Sequence, residues 1–526
     1  MLSACSAEQE RRPNILLIVT DDMGYTDLGA FGGHDIPTPN LDWLAMEGLR
    51  LTNFHASPSC APTRAMLMSG TGNHEAGLGT QLEYPEYEDQ EFYERYMPPR
   101  IAALPEVLQA AGYYTVMSGK WHLGRGDPHG RTLPGLRGFD RAFALLEGGD
   151  GHVHSVFDPP QYSEDGRQLD APLADFYSST LYVDKLIEKL AANSANRPFF
   201  AWLAPTAPHW PLHAPPGWLG KYRGKYDEGF DVLCQKRMQG ARDAGVLPAS
   251  VSTSVCPKEE MPWVEVDDGR KASYVRAMEV YAAMVEHLDL EIGNVIEYLD
   301  REGELDNTWI IYMNDNGPQG GSLGSRTVGN LKRRDVDNSL GNLGLAWSWA
   351  NIGQGWADAL SAPYRDSKAS QFEGGIRVPA FAWHARAARR GETEAQLLTV
   401  MDVMPTVLEL TGTPAPGDTF AGRDVQPMRG KSFASVLAAA GELVHPPDEA
   451  IALDSAGRSV VIKGDWKIVR EIAGDWMLFN IAGDPGETTD LAGREPDKFG
   501  ELVADYEQQA SASNYIRRVP HPEEGP

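Results

Sequence analysis

The chain has 526 residues, 42% hydrophobic and 23% charged, with 54 Gly and 37 Pro. This is the composition of a loop-rich globular protein long enough for one large domain and a smaller one. Lys+Arg 47 against Asp+Glu 74 leaves a net charge of -27, which argues against nucleic acid or anionic lipid as a partner and obliges any anionic substrate to find a local basic pocket. No apolar run approaches the roughly 18 residues that a membrane helix needs, so no transmembrane segment is expected.

In chain order, residues 1–12 form a polar tail. Within it Leu2-Ser3-Ala4-Cys5 reads as the lipobox that closes a bacterial lipoprotein signal peptide, without the charged and apolar regions that precede one. A chance match in a frayed terminus is the other reading. The first places the protein in the periplasm or lipid-anchored in the cell envelope; a cytoplasmic location is the alternative. Asn14 to Val19 is a near-continuous apolar run, expected of a strand buried on both faces of a parallel sheet. Thr38-Pro39-Asn40 opens a helix by N-cap and first-turn proline, and Gly48 closes it. A short helix (105–112) and a strand (114–117) follow, then a helical pattern (173–193) and the strand 198–203. A long amphipathic helix (271–302) precedes the strand 308–313. The strand 377–383 precedes a helix near 401–411. Past residue 430 short strands at 459–463, 465–469 and 476–479, with glycine turns, lead to a helix near 496–511.

This alternation predicts an α/β fold: a large, mostly parallel sheet sandwiched by helices over 13–430, with loop-rich insertions near 205–268 and 317–362. A smaller C-terminal α+β unit with an antiparallel sheet covers 431–526. Of four cysteines, Cys5 lies in the tail and Cys60 in a distinct local motif. Cys234 and Cys256 share one insertion; a disulfide suits an oxidising compartment and two thiols a cytoplasm.

Two strands run into acidic or amide clusters, Asp21-Asp22 and Asp315-Asn316-Gly317. Ligands of open α/β sheets bind beyond the carboxyl ends of the strands, so both clusters are expected in one crevice. Either alone reads as a turn. Together, hard oxygen donors without sulfur or an obvious imidazole partner select a hard divalent cation, Ca²⁺ or Mg²⁺. Basic candidates also follow strands. Lys120 and His122 in Gly119-Lys120-Trp121-His122 are expected on one side of an extended chain. His209 follows Ala207-Pro208, and Lys368 precedes Gly374-Gly375. A lone cysteine is more often a small core residue than a nucleophile, but Cys60 stands in Ser59-Cys60-Ala61-Pro62-Thr63-Arg64.

That hexapeptide matches the C-x-P-x-R signature of sulfatases. The opening Pro13-Asn14-Ile15 through Asp21-Asp22-Met23-Gly24, then Thr38-Pro39-Asn40-Leu41-Asp42, resembles the arylsulfatases of the alkaline phosphatase superfamily, the bacterial ones most of all. The remaining motifs, through Gly374 to Pro379 and Gly464-Asp465-Trp466-Lys467, follow in that family's order over about residues 12–495. One departure is Ser69-Gly70, where the extended motif usually ends Thr-Gly. The resemblance implies that a maturing enzyme oxidises Cys60 to formylglycine, and that Asp21, Asp22, Asp315 and Asn316 ligate Ca²⁺ together with residue 60. It further implies that Arg64 holds the formylglycine hydrate, Lys120 and Lys368 bind sulfate oxygens, His122 hydrogen-bonds the hydrate and His209 meets the leaving ester oxygen. The expected substrate is a small-molecule sulfate ester, with aryl sulfates hydrolysed to phenol and sulfate, and the expected state is a monomer.

A phosphonate monoester or phosphodiester hydrolase of the same superfamily is the nearest rival, and an inactive binding protein on the same fold a remote one. Trp347, Trp349 and Trp356 in the second insertion have two readings: walls of an aryl-binding pocket, or anchors of the insertion to the core.

Overall fold

The computed structural model describes the chain except residues 1–10, 83–89, 125–131, 156–159, 172, 248–250, 252–255, 257–261, 324–326, 329–330, 333–335, 456, 473, 514 and 516–526, with backbone alone at 327–328 and 331–332. The Leu2–Cys5 motif lies outside the described residues.

A 10-stranded sheet forms the centre. Its middle strands Thr308–Asn314, Asn14–Thr20, Phe199–Ala204, Tyr114–Lys120 and Arg141–Leu145 are mutually parallel. Alternation of side chains along a strand divides the core into two layers. Leu16 and Ile18 point to one side, with the long helix Asp268–Arg301 and the helix Ser178–Ala191. Ile15, Leu17 and Val19 point to the other, with helices Cys60–Ser69, Leu104–Ala110 and Val403–Leu410. Both faces of each central strand are therefore dry, which is why the sequence shows apolar runs rather than alternation.

Three expectations need correction. The strand expected at 377–383 begins only at Ala380 and runs antiparallel to Thr308–Asn314, because the short helix Glu373–Ile376 precedes it. The insertion 205–268 contains a helix, Phe230–Asp243. Its pattern is masked by charged residues that are structural: Arg237 is buried and pairs with Asp27 at 3.0 Å and Asp35 at 2.6 Å. Its Gly240 abuts the chain so closely that a Cβ there would stand 1.9 Å from the Gly32 carbonyl oxygen. Finally, Thr38 does not cap the helix Pro39–Glu47 through its side chain. Asp289 of the long helix does so instead, accepting from the Leu41 and Asn40 N–H groups at 2.8 and 3.2 Å.

The C-terminal strands Ala450–Ser455, Arg458–Lys463, Trp466–Arg470 and Met477–Asn480 form an antiparallel meander. One face is covered by the helix Pro496–Ala512 through Leu502 and Tyr506. Leu453, Val460, Ile462 and Val469 on the other face join the same core layer as the Cys60–Ser69 helix. Cys234 and Cys256, left open by the sequence, form a disulfide.

Candidate active site

Parallel register brings four strand ends to one edge. Thr20 lies beside Asn314, Ile18 beside Leu203 and Gly119 beside Ala204, so the residues that follow each strand emerge at the same level. Asp21 even bridges to Pro208. Asp21, Asp22, Asp315, Asn316, Lys120 and His209 all arise here and are buried.

Cys60 opens the helix Cys60–Ser69 immediately after Ser59, which is extended. The helix closes at Gly70, whose φ of 63° lies in the left-handed region. Ser69, the departure noted above, spends its hydroxyl on the Ala65 carbonyl at 2.6 Å. Cys60 is 1% exposed, with Sγ 3.4 Å from Asp21 Oδ1 and 3.1 Å from Lys368 Nζ. One turn on, Arg64 donates to Asp315 Oδ2 from Nε at 3.0 Å and from its terminal nitrogen at 2.7 Å, and its third nitrogen binds the Lys120 carbonyl at 2.9 Å. A fork with every arm engaged in this way is rigid.

Lys120 Nζ meets Asp21 Oδ2 at 2.7 Å, and Lys368 Nζ meets both oxygens of Asp22 at 2.7 and 2.9 Å. Lys368 rides on a strap whose close fit needs glycine: a Cβ on Gly317 would stand 1.9 Å from the Gly374 carbonyl. Asn316 Nδ2 donates to Asp22 Oδ1 at 2.7 Å, while its Oδ1 is buried without a partner among the described residues. The donor atoms of Asp21, Asp22, Cys60 and His209 lie within 4.8 Å of one another. Asp315 is outside this group of four, one oxygen held by Arg64 and the other facing the Asp22 N–H at 3.4 Å. His122 does not share an extended chain with Lys120: Gly119 and His122 have φ of 119° and 54°, and the histidine is buried just beyond the strand end.

Charge balance follows from this packing. Burial alone would raise the Asp21 carboxyl, but Lys120 above all, then His209, Arg64 and Lys368, hold it well below the usual carboxylate range. Burial, then the Asp21 charge, push Asp315 up. Burial, then Asp315, push the Cys60 thiol well up, so an unmodified cysteine here is a thiol rather than a thiolate. Burial drives His209 down to about 3. Its Nδ1 lies 2.5 Å from the Trp210 carbonyl, so the neutral ring carries its proton there and turns a lone pair at Nε2 toward Asp22, 3.6 Å away.

Sequence reading missed the support behind His209. His152 Nε2 binds the His209 carbonyl at 2.8 Å and its Nδ1 the Ser178 hydroxyl at 2.6 Å. His213 accepts the His152 N–H at 3.1 Å. The signal available was the Gly151-His152-Val153-His154 run just past a strand end. A surface cavity of about 420 Å³ lined by Arg223, Trp263, Lys271 and Glu279 contains none of these groups. Of the three tryptophans, Trp356 is wholly buried and donates to the Tyr274 carbonyl at 3.0 Å, so it anchors the insertion.

Fold and site together define an alkaline-phosphatase-like hydrolase whose buried cations suit an anionic ester. The chain belongs to the sulfatase family: the Sulfatase family model matches residues 13–413. It is 42% identical over 520 residues to an uncharacterised sulfatase of Schizosaccharomyces pombe, covering 94% of this chain and 93% of that protein. To the arylsulfatase of Klebsiella aerogenes it is 35% identical over 446 residues, 82% of this chain and 93% of that one. The likeness thus extends beyond bacteria. The crystal structure of Ps i-CgsB with a neocarrahexaose superposes with a TM-score of 0.68 at 23% identity, covering 98% and 96% of the two chains, and supports the fold. Family membership makes this chain a sulfuric ester hydrolase acting on small-molecule sulfate esters. The family normally works with formylglycine and a divalent metal, and the buried Asp-Asp-Cys-His cluster is able to hold a metal. No helix among the described residues is long and apolar enough to cross a membrane.

Proposed function

We propose that this protein hydrolyses aryl sulfates, using formylglycine at position 60 and Ca²⁺ held by Asp21, Asp22, Asp315, Asn316 and residue 60. The observation that carries this reading is the convergence of Arg64, Lys120 and Lys368 with three carboxylates around one buried cysteine. The unpartnered Asn316 oxygen and the hard carboxylate donors fit Ca²⁺ or Mg²⁺. Bound there, the ion would supply fixed positive charge to the sulfate oxygens. Oxidation of the Cys60 side chain to an aldehyde by a maturing enzyme, followed by hydration, would supply a geminal diol: one hydroxyl would attack sulfur, and the other would lose its proton as the C=O bond re-forms and the C–O bond to sulfate breaks.

The chain's own groups do the rest. Lys120 and Lys368 turn from their carboxylates to the sulfate oxygens, so a protein of net charge -27 presents concentrated positive charge where the anion docks. Arg64 fixes Asp315 and the Lys120 carbonyl. His209 holds the proton for the leaving oxygen at Nε2. That requires the imidazolium, since Nδ1–H is committed to Trp210, and the bound anion favours that charged form. His122 assists the release of sulfate. The Cys234–Cys256 disulfide supports an oxidising compartment such as the periplasm.

The test is turnover of 4-nitrophenyl sulfate against a phosphonate monoester by protein co-expressed with a maturing enzyme, with metal content and the mass of the peptide carrying residue 60 read on the same sample. Expected are preference for sulfate, bound calcium, and a mass at residue 60 that matches conversion of the CH2SH side chain to CHO. The Cys60→Ser variant should fold and stall after one turnover with sulfate attached. Multiple turnovers by that variant at wild-type rate would refute the role given to formylglycine.

A further inference from the structure

Asp21 and Asp22 follow one another, and in extended chain their side chains would point to opposite faces of the sheet. Both nevertheless reach the same thiol: Asp21 Oδ1 lies 3.4 Å and Asp22 Oδ1 4.0 Å from Cys60 Sγ. The break falls at Asp22, whose φ of 66° lies in the left-handed region that a residue with a Cβ seldom adopts. That one turn converts alternation into convergence. A strained backbone of this kind persists only where its surroundings over-determine it.

Two buried side chains clamp the residues that follow the turn. Asn314, at the end of its strand, donates from Nδ2 to the Met23 carbonyl at 2.9 Å and accepts the Met23 N–H at 3.2 Å. Asp27 accepts the Gly24 N–H on Oδ2 at 2.6 Å. Asp27 is fixed in turn from distant segments. The Tyr281 hydroxyl donates to the same oxygen at 2.5 Å and lies 3.4 Å from the Asp22 carbonyl, while Arg237 donates to Oδ1 at 3.0 Å. Asp27 lies outside the donor group of Asp21, Asp22, Cys60 and His209, and both its oxygens are committed. Gly24 itself is pressed against a neighbouring segment, since a Cβ there would stand 2.6 Å from the Leu360 carbonyl oxygen.

We infer that Tyr281 and Asp27 are positioning residues for the metal site: they hold Asp22 in its left-handed conformation and thereby set the affinity for the divalent ion. This rests on the reading that Asp22 ligates Ca²⁺, and it adds residues that touch neither ion nor substrate. Carboxylate ligands depend on the groups that hold them, and substitutions in that outer layer typically weaken metal binding about 10- to 100-fold. Tyr281 comes from the long helix and Arg237 from the insertion, two segments that supply no group to the cluster itself.

The experiment takes the full chain co-expressed with a maturing enzyme, strips it of metal with EDTA and titrates it calorimetrically with calcium chloride. Tyr281→Phe removes one hydroxyl and keeps the ring. Tyr162→Phe is the control, a buried tyrosine of the same core layer whose hydroxyl pairs with that of Tyr182 at 3.1 Å. Tyr281→Phe should raise the calcium Kd about tenfold or more, and the control should leave it unchanged. The unfolding midpoint of each stripped variant is read beside its Kd, so that a loss of stability common to both is not counted as positioning. An unchanged Kd in Tyr281→Phe, or an equal rise in the control, would overturn the inference. If wild type binds neither calcium nor magnesium, the metal reading fails. The clamp on the turn is then decided by amide exchange at Met23 and Gly24. Exchange must quicken about tenfold in Tyr281→Phe, the factor that one hydrogen bond commands, and not in Tyr162→Phe; unaltered exchange would overturn it.

Discussion

At the scale of single residues, each charge in the candidate site is held by an opposite one. Lys120 is paired with Asp21, Lys368 with Asp22 and Arg64 with Asp315. Isolated buried charges are prohibitively costly and pairs are not, so the site can store three cations out of water. His209 is the exception, since burial leaves it neutral. A proton delivered by His209 matters only where the departing oxygen needs one. His209→Gln should therefore cut kcat/KM by about 10²–10⁴ on an alkyl sulfate and far less on 4-nitrophenyl sulfate, whose phenolate leaves unassisted. Equal losses on both would assign His209 to binding instead.

At the scale of elements, the strap carrying Lys368 is tied to the small sheet. Lys467 of the strand Trp466–Arg470 lies between Glu373 at 2.8 Å and Glu487 at 2.7 Å, all three fully buried. Glu373 also binds His55 at 3.1 Å and Arg377 at 3.2 Å. Removing the shared cation leaves two buried carboxylates facing each other. Lys467→Met should cost about 3–5 kcal/mol of stability by denaturant unfolding, and a rise in KM for sulfate esters should accompany it as the strap loosens. Burial pushes Glu487 from 4.5 up to about 7. The folded chain thus keeps a proton that the unfolded chain releases, so this group favours folding below pH 4.5 and the contribution fades as pH rises to 7. Glu487→Gln should flatten the pH dependence of the unfolding midpoint within that window; an unaltered slope would remove Glu487 as its source.

At the scale of the whole molecule, the net charge of -27 opposes an anionic substrate at long range while the cleft attracts it at contact. Salt screens the first effect more than the second. Raising ionic strength from 0.01 to 0.15 M shortens the Debye length from about 30 to about 8 Å. Over that interval kcat/KM for an aryl sulfate should hold or rise. A steep fall would mean that attraction, not repulsion, governs the approach.

Much of this was legible in the chain. Apolar runs marked the central strands, since strands buried on both faces have no polar residues to alternate, and acidic or basic residues directly after them marked the site. Less was legible where local pattern and burial part company. The Phe230–Asp243 helix was hidden by buried charges such as Arg237, and the antiparallel sense of Ala380–Trp383 depends on its neighbours rather than on its own residues. The sequence by itself determined which side chains stand at the ends of strands, because periodicity and position relative to an apolar run are local properties. Only the tertiary structure decided which of them meet. It brought Lys368 onto Asp22 across 346 residues, placed His152 behind His209, and sent Trp356 into the core while Trp349 packed edge-on against Trp210. The physical reason is that such encounters are set by sheet register and by the packing of distant segments, which no local pattern encodes.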